Sequence, residues 1–156
     1  MTMNDDYDGY YIQLAIRTAM DNVYSGNGGP FGAVIVTPSG KVIACGNSVT
    51  TTNDPTAHAE VNTIREACRQ LETFSLEGCI LYSSCEPCPM CLGAALWSRV
   101  DRIVFAADRH DAADAGFDDA AFYEKLAAGD VAEHLRIENA VSPFNVWKES
   151  TTRTEY

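Results

Sequence analysis

Residues 85–91 read CEPCPMC and set Cys85, Cys88 and Cys91 at three-residue intervals. Sulfurs so spaced can form a redox pair with a spare, part of a disulfide framework, or part of a metal site. Two cysteines three apart on the first turn of a helix project the same way, so their sulfurs can converge on one ion. Backbone N–H groups at that helix start favour thiolate over thiol. A thiolate pair supplies half of a tetrahedral zinc shell and needs partners from elsewhere in the chain. Residues 57–60, AHAE, offer His58 as an imidazole ligand and Glu60 as a nearby carboxylate.

Whether these groups meet depends on the elements that carry them. A helix is predicted over 11–23 from the stripe Ile12, Ala15, Ile16, Ala19 and Val23, and SGNGGP ends it. FGAVIV (31–36) and KVIACG (41–46), joined by the turn TPSG, predict a hairpin. After a loop rich in Thr and Asn, NDPT signals a helix over 57–71, with Val61, Ile64, Ala67, Cys68 and Leu71 on its apolar face. CILYSS (79–84) is a buried strand, MCLGAALWSR (90–99) a helix with Pro89 at its start, and RIVFAA (102–107) another strand. Residues 108–119 are polar and expected to be exposed. A helix at 120–129, a strand at 134–140 and a tail over 142–156 complete the chain. Alternating strands and helices make this an α/β domain, in which both central helices begin at the C-terminal edge of the sheet. That topology brings His58 toward Cys88 and Cys91. His110 lies in the polar stretch and His134 lies beyond the core, so both are expected on the surface.

Glu60 decides between a structural and a catalytic metal. At the frayed first turn of a helix, residues 58 and 60 can face one pocket. Three protein ligands with one open position are the catalytic pattern, in which a free carboxylate moves the proton of an activated water. HAE followed by PCPMC fits the H-x-E…P-C-x-x-C signature of zinc deaminases. Cys85, on the strand side of the junction, is expected in the core or behind the ligands. Cys45, Cys68 and Cys79 are expected as buried small hydrophobes. A thioredoxin-like role for Cys88 and Cys91 would leave His58 and Glu60 without a purpose.

Composition narrows the partners. The chain has 156 residues, enough for one compact domain with a core. Against 22 Asp+Glu stand 11 Lys+Arg, a net charge of −11, and the basic residues are scattered singly rather than in runs. Nucleic acid and anionic membranes are therefore poor partners, and a small molecule is the expected one. The start, MTMNDDYDGYY, is acidic and polar where a secretory signal would be basic and then apolar, so a cytoplasmic protein with reduced thiols is expected.

Through GGPFGAVIV (28–36), TTNDPTAHAE (51–60) and CILYSSCEPCPMCLGA (79–94), the sequence resembles the cytidine and deoxycytidylate deaminase superfamily. DAADAGFDD (111–119) and the EY ending are similar to its guanine deaminase branch in particular. The resemblance implies a three-layer α/β/α cytidine-deaminase-like fold with a central five-stranded mixed sheet. It also implies one Zn2+ per subunit and a homodimer whose residues 142–156 cross to the partner's active site. His58, Cys88 and Cys91 would hold the zinc, Glu60 would be the main proton shuttle and Asp119 a second acid. Asn47 would hydrogen-bond the base, Phe31 would pack on it, and Tyr156 would close the partner's pocket. Read without the resemblance, Asn47 could simply turn the chain, Phe31 could be core, Asp119 a helix cap and Tyr156 a frayed end. The implied reaction is hydrolysis of guanine to xanthine and ammonia. Guanosine or another nucleobase, a transfer-RNA adenosine and a purely structural zinc are the alternatives.

Overall fold

The computed structural model describes residues 5–129, 131–135 and 137–156. Its centre is a mixed sheet of four strands: β1 (Gly32–Val36), β2 (Val42–Gly46), β3 (Ile80–Cys85) and β4 (Arg102–Ala107), in the order β2-β1-β3-β4. β1 pairs antiparallel with both β2 and β3, whereas β3 and β4 run parallel, with Leu81 opposite Ile103 and Cys85 opposite Ala107. The parallel pair requires a crossover, and helix α4 (Pro89–Ser98) supplies it.

Side-chain alternation sorts the sheet into two faces. Val34 and Tyr82 point to α1 (Asp5–Tyr24), packing with Ala15, Tyr11 and Ile12. Ala33, Ile35 and Leu81 point the other way, into a core closed by Ala59 and Ala67 of α3 (Ala59–Leu71) and Ala95 of α4. The result is the three-layer α/β/α arrangement. Of the stripe expected on α1, Ala15 and Ala19 are buried, while Val23 is 49% exposed.

A half-buried ion pair ties α1 to the sheet. The Tyr82 hydroxyl donates to Asp8 Oδ1 at 2.6 Å, and Arg102 Nη2 lies 2.8 Å from Asp8 Oδ2. Hydrogen bonding from Arg102 holds the Asp8 carboxyl below the ordinary value of 3.8. A depressed folded pKa contributes stability above the unfolded value that is lost as pH falls through the folded one. Asp8→Asn should therefore lower the melting temperature at pH 7, and the deficit should shrink below about pH 4. Thermal melts of both proteins at the two pH values check this.

Three expectations need correction. The tract 108–119 is not simply polar loop: it contains α5 (Arg109–Asp114), whose start is fixed by a capping box between Asp108 and Asp111. The short α2 (Val49–Thr52) lies in the Thr-rich loop. The strand expected at 134–140 is absent among the described residues. Residues 132–135 and 137 are irregular and 138–141 form a turn, with Leu135 82% and Ile137 55% exposed; Arg136 lies outside the described residues. Among the described residues no strand pairs with that segment, and its one β-branched residue, Ile137, gives little intrinsic drive to extend it. The described sheet accordingly has four strands rather than five, with β4 at its edge. Helix α6 (Asp119–Ala128) follows α5, and α7 (Ser142–Glu149) lies in the tail. No helix among the described residues is long and apolar enough to cross a membrane.

Candidate active site

His58 and Cys88 occupy equivalent places in the fold. Each is the extended residue immediately before a helix, His58 before α3 and Cys88 before α4, and Pro89 occupies the first turn of α4. Because both helices start at the same edge of the sheet, His58 Nδ1 lies 3.6 Å from Cys88 Sγ and 3.5 Å from Cys91 Sγ. Among the described residues these three are the group whose donor atoms could share a metal ion. The spacing is itself a test of fit. Tetrahedral zinc with bonds of about 2.0–2.1 Å to nitrogen and about 2.3 Å to sulfur separates those donors by about 3.5 Å. The donor chemistry, one imidazole and two thiols, also suits zinc.

Ionisation of the two thiols is unequal. Hydrogen bonding from Cys91, helped by His58, holds Cys88 down to about 4, and the same bond pushes Cys91 up. The contact with Cys88 in turn raises His58. All six cysteines are free thiols, so no disulfide competes for these sulfurs. Cys85 ends β3, is buried, and turns its Sγ to the Asp108 carbonyl at 3.6 Å, away from the cluster. Burial pushes its thiol up to about 11. Cys79 is buried as expected, but Cys45 and Cys68 are only half-buried, Cys45 because β2 is a sheet edge.

Glu60 sits beside the cluster, 6% exposed, with Oε2 3.4 Å from Cys91 Sγ and Oε1 accepting from the Ser83 hydroxyl at 2.9 Å. Burial pushes its carboxyl up. The helix start allows this convergence: His58 is still extended while Glu60 is on the first turn of α3.

These groups open onto a cavity of about 330 Å³ lined by Phe31, Asn47, His58, Glu60, Cys88 and Asp119, among others. Asn47 is 7% exposed and its Oδ1 accepts from the N–H groups of Gly29 and Val49, both at 3.2 Å. The oxygen is thus committed to the backbone, leaving the NH2 end as the group able to address the cavity. Phe31 both packs on the core and lines the cavity, its ring edge-to-face with Phe117 at 4.8 Å. Asp119 is the first residue of α6, and Asp118 takes the cap position ahead of it. Asp119 is half-buried, and desolvation followed by the nearby Cys88 charge pushes its carboxyl up. Tyr156 is 75% exposed, with its ring 5.8 Å from that of Trp97, and it does not line the cavity of its own chain. His110 and His134 are exposed, as expected.

Of the cavity roof, Gly116 to Phe122, sequence reasoning named only Asp119 as a site residue, through the family resemblance, and it missed Gly116, Phe117, Asp118, Phe122 and the residues that brace them. Arg109 grips Glu86 with Nη2 to Oε1 at 2.7 Å and stacks 3.5 Å over the Tyr123 ring, whose hydroxyl donates to the Pro87 carbonyl at 2.6 Å. Ser83 could have been found: alternation along CILYSS puts it on the face with Leu81 and Cys85.

Residues 5–107 match the cytidine and deoxycytidylate deaminase zinc-binding region. The chain belongs to this deaminase family. It is 47% identical to guanine deaminase of Bacillus subtilis (strain 168) over 158 aligned positions, covering 94% of this chain and 97% of that one. The X-ray structure of guanine deaminase from Bacillus subtilis superposes with a TM-score of 0.89 at 42% identity, over 99% of both chains. A guanine deaminase structure from Nitrosomonas europaea gives 0.61 at 30% identity, covering 89% of this chain and 70% of that one. A tRNA-specific adenosine deaminase of Aquifex aeolicus is 44% identical, but over 63% of this chain and 64% of its own. The zinc-binding character of this deaminase family agrees with the donor set assembled by His58, Cys88 and Cys91.

Proposed function

We propose that this deaminase hydrolyses guanine to xanthine and ammonia. The observation that carries this reading is the likeness to a guanine deaminase along nearly the whole chain, including the roof segment beyond the shared zinc region. Likeness to a transfer-RNA enzyme is confined to about two thirds of the chain, and a net charge of −11 opposes binding of a polyanion.

In this reading His58, Cys88 and Cys91 hold the zinc, which supplies Lewis-acid activation of water near neutral pH. Glu60, anchored by Ser83 through one oxygen, takes the proton of the attacking water with the other and passes it to a ring nitrogen of the base. A C–O bond forms at C2; once the amino group has gained a proton the C2–N bond breaks, ammonia leaves, and the proton of the new hydroxyl passes to the carboxylate that supplied the amino group, giving the C2 carbonyl. Asp119, on the cavity wall and less acidic than an exposed aspartate, is placed to deliver the proton to the amino group. Asn47 addresses the base through its NH2 group, and Phe31 covers the ring. Ammonia release measured side by side on guanine, guanosine, adenine, cytosine and 8-oxoguanine tests the assignment. Release from guanine alone supports it, and equal turnover of guanosine would replace it with a nucleoside activity.

The whole chain acts as one deaminase domain that works as a homodimer, with residues 142–156 passing to the partner's site. Supporting this, α7 buries none of its residues, and Phe144, Val146 and Tyr156 are 68%, 69% and 75% exposed. β4 also offers an open sheet edge, a ready site for a strand from another chain. The cytoplasm, where thiols stay reduced, suits its free cysteines. Deleting residues 152–156 should reduce kcat/KM about tenfold or more while shifting the melting temperature little, because a terminal segment with few contacts adds little stability. Kinetics and thermal melts of the truncated protein, with its mass in solution, check this.

A further inference from the structure

Asn22, on the last turns of α1 and 6% exposed, plays no part in the chemistry described so far. Its Nδ2 donates one hydrogen to the Gly29 carbonyl and the other to the Asn47 carbonyl, both at 2.8 Å. Its Oδ1 accepts from Asn27 Nδ2 at 3.2 Å. The carboxamide therefore bridges the loop entering β1 and the residue that leaves β2, two neighbouring segments that both line the cavity.

The packing around this bridge has no slack. A Cβ on Gly46 would lie 2.2 Å from Asn22 Oδ1, and a Cβ on Gly28 would lie 2.1 Å from the Asn47 carbonyl oxygen. Real Cβ atoms do not approach so closely, so Gly46 is confined to glycine by Asn22 and Gly28 by the Asn47 carbonyl that Asn22 holds. On the far side of the bridge, Asn47 N–H donates to the Phe31 carbonyl at 3.1 Å and Gly29 N–H donates to Asn47 Oδ1. Fixing the Gly29 and Asn47 backbones thus fixes which end of the Asn47 carboxamide faces the cavity.

We infer that Asn22 is a positioning residue for substrate recognition, holding Asn47 and the Gly29–Phe31 segment at the separation that accepts a planar base. It acts through Asn47, so the inference rests on Asn47 touching the substrate. None of its hydrogen-bond partners is a zinc ligand or Glu60, so its loss removes none of their hydrogen bonds. The Asn47 end of the bridge is buried and the Gly29 end half-buried; the Gly29 carbonyl also accepts from the Phe31 N–H at 2.9 Å, and among the described residues no other side chain hydrogen-bonds either carbonyl.

Asn22→Ala should raise KM for guanine about tenfold, the loss of roughly one net hydrogen bond at a recognition group. It should leave kcat within about twofold and zinc content unchanged, the signature of lost uniform binding rather than lost chemistry. Hydrogen exchange, read without substrate, should show the Gly29 amide losing protection while the amides of β3 keep theirs. An unchanged KM, a fall in kcat at constant KM, or unaltered Gly29 exchange each overturns the proposal. Should Asn22→Ala not fold, Asn27→Ala removes only the contact to Oδ1. It should raise KM about two- to threefold at constant kcat, and an unchanged KM would again overturn it. The substrate reading fails separately: it falls if the unaltered protein releases no ammonia from guanine, whereas the exchange result stands or falls without any substrate.

Discussion

Glu60→Gln should lower kcat by about 10³-fold, within the range that a positioned proton-transfer group supplies, while a stoichiometric zinc stays bound. The substitution is close to isosteric, and the amide oxygen can still accept the Ser83 hydroxyl that anchors Glu60 Oε1 in the folded protein. What it cannot do is take up and release a proton. Because the side chain is 6% exposed, bulk water is poorly placed to stand in for it. Replacing a buried carboxylate whose charged form is penalised by desolvation should cost the fold nothing, and should slightly raise the melting temperature. Ammonia release, metal analysis and a thermal melt on one preparation settle the matter. Turnover near that of the unaltered protein would remove Glu60 from the reaction.

Stripping the metal should have the larger effect on the molecule as a whole. His58, Cys88 and Cys91 join the starts of α3 and α4, elements that otherwise meet chiefly through Val61, Ala59 and Ala95. An ion bound a thousandfold more tightly than its free concentration adds about 4 kcal/mol to the folded state. In a domain of this length that corresponds to a fall of roughly 10 °C in melting temperature on chelation. Activity should vanish with the metal and return on adding zinc. Cys91→Ala should reproduce the loss permanently, since Cys91 is fully buried and its removal leaves only His58 and Cys88 as protein ligands. A chelated protein that melts unchanged and still releases ammonia would show that the cluster is not where the reaction depends on metal.

The zinc frame was legible because its logic is local. A helix cap can be read from a dozen residues, and two caps on parallel strands of one sheet are forced to the same edge. His58, Cys88, Cys91 and Glu60 follow from that, and β1 to β4 follow from β-branched runs whose alternation fits two buried faces. The cavity roof was not legible, for the opposite reason. Phe117 reaches Phe31 across 86 positions of sequence, and Tyr123 reaches Pro87 across 36. Neither contact leaves a periodic trace. The Asp108–Asp111 capping box was present in the sequence as D-x-x-D, but the abundance of acidic residues there masked it as solvated loop. The segment 134–140 shows the converse failure: with Ile137 its one β-branched residue it has little intrinsic drive to extend, and among the described residues the edge of β4 is left without it.

The roof over the cavity is built from residues 116–122, beyond the 5–107 stretch that carries the zinc region. Part of the cavity wall thus lies on a stretch of chain outside the one that carries the zinc region. Substitutions at Gly116, Phe117 or Phe122 can reshape that wall without touching His58, Cys88, Cys91 or Glu60, and an insertion between α5 and α6 lengthens a connector rather than splitting a strand. New preferences can in this way arise within a few consecutive residues while the three metal-binding side chains pass through unchanged.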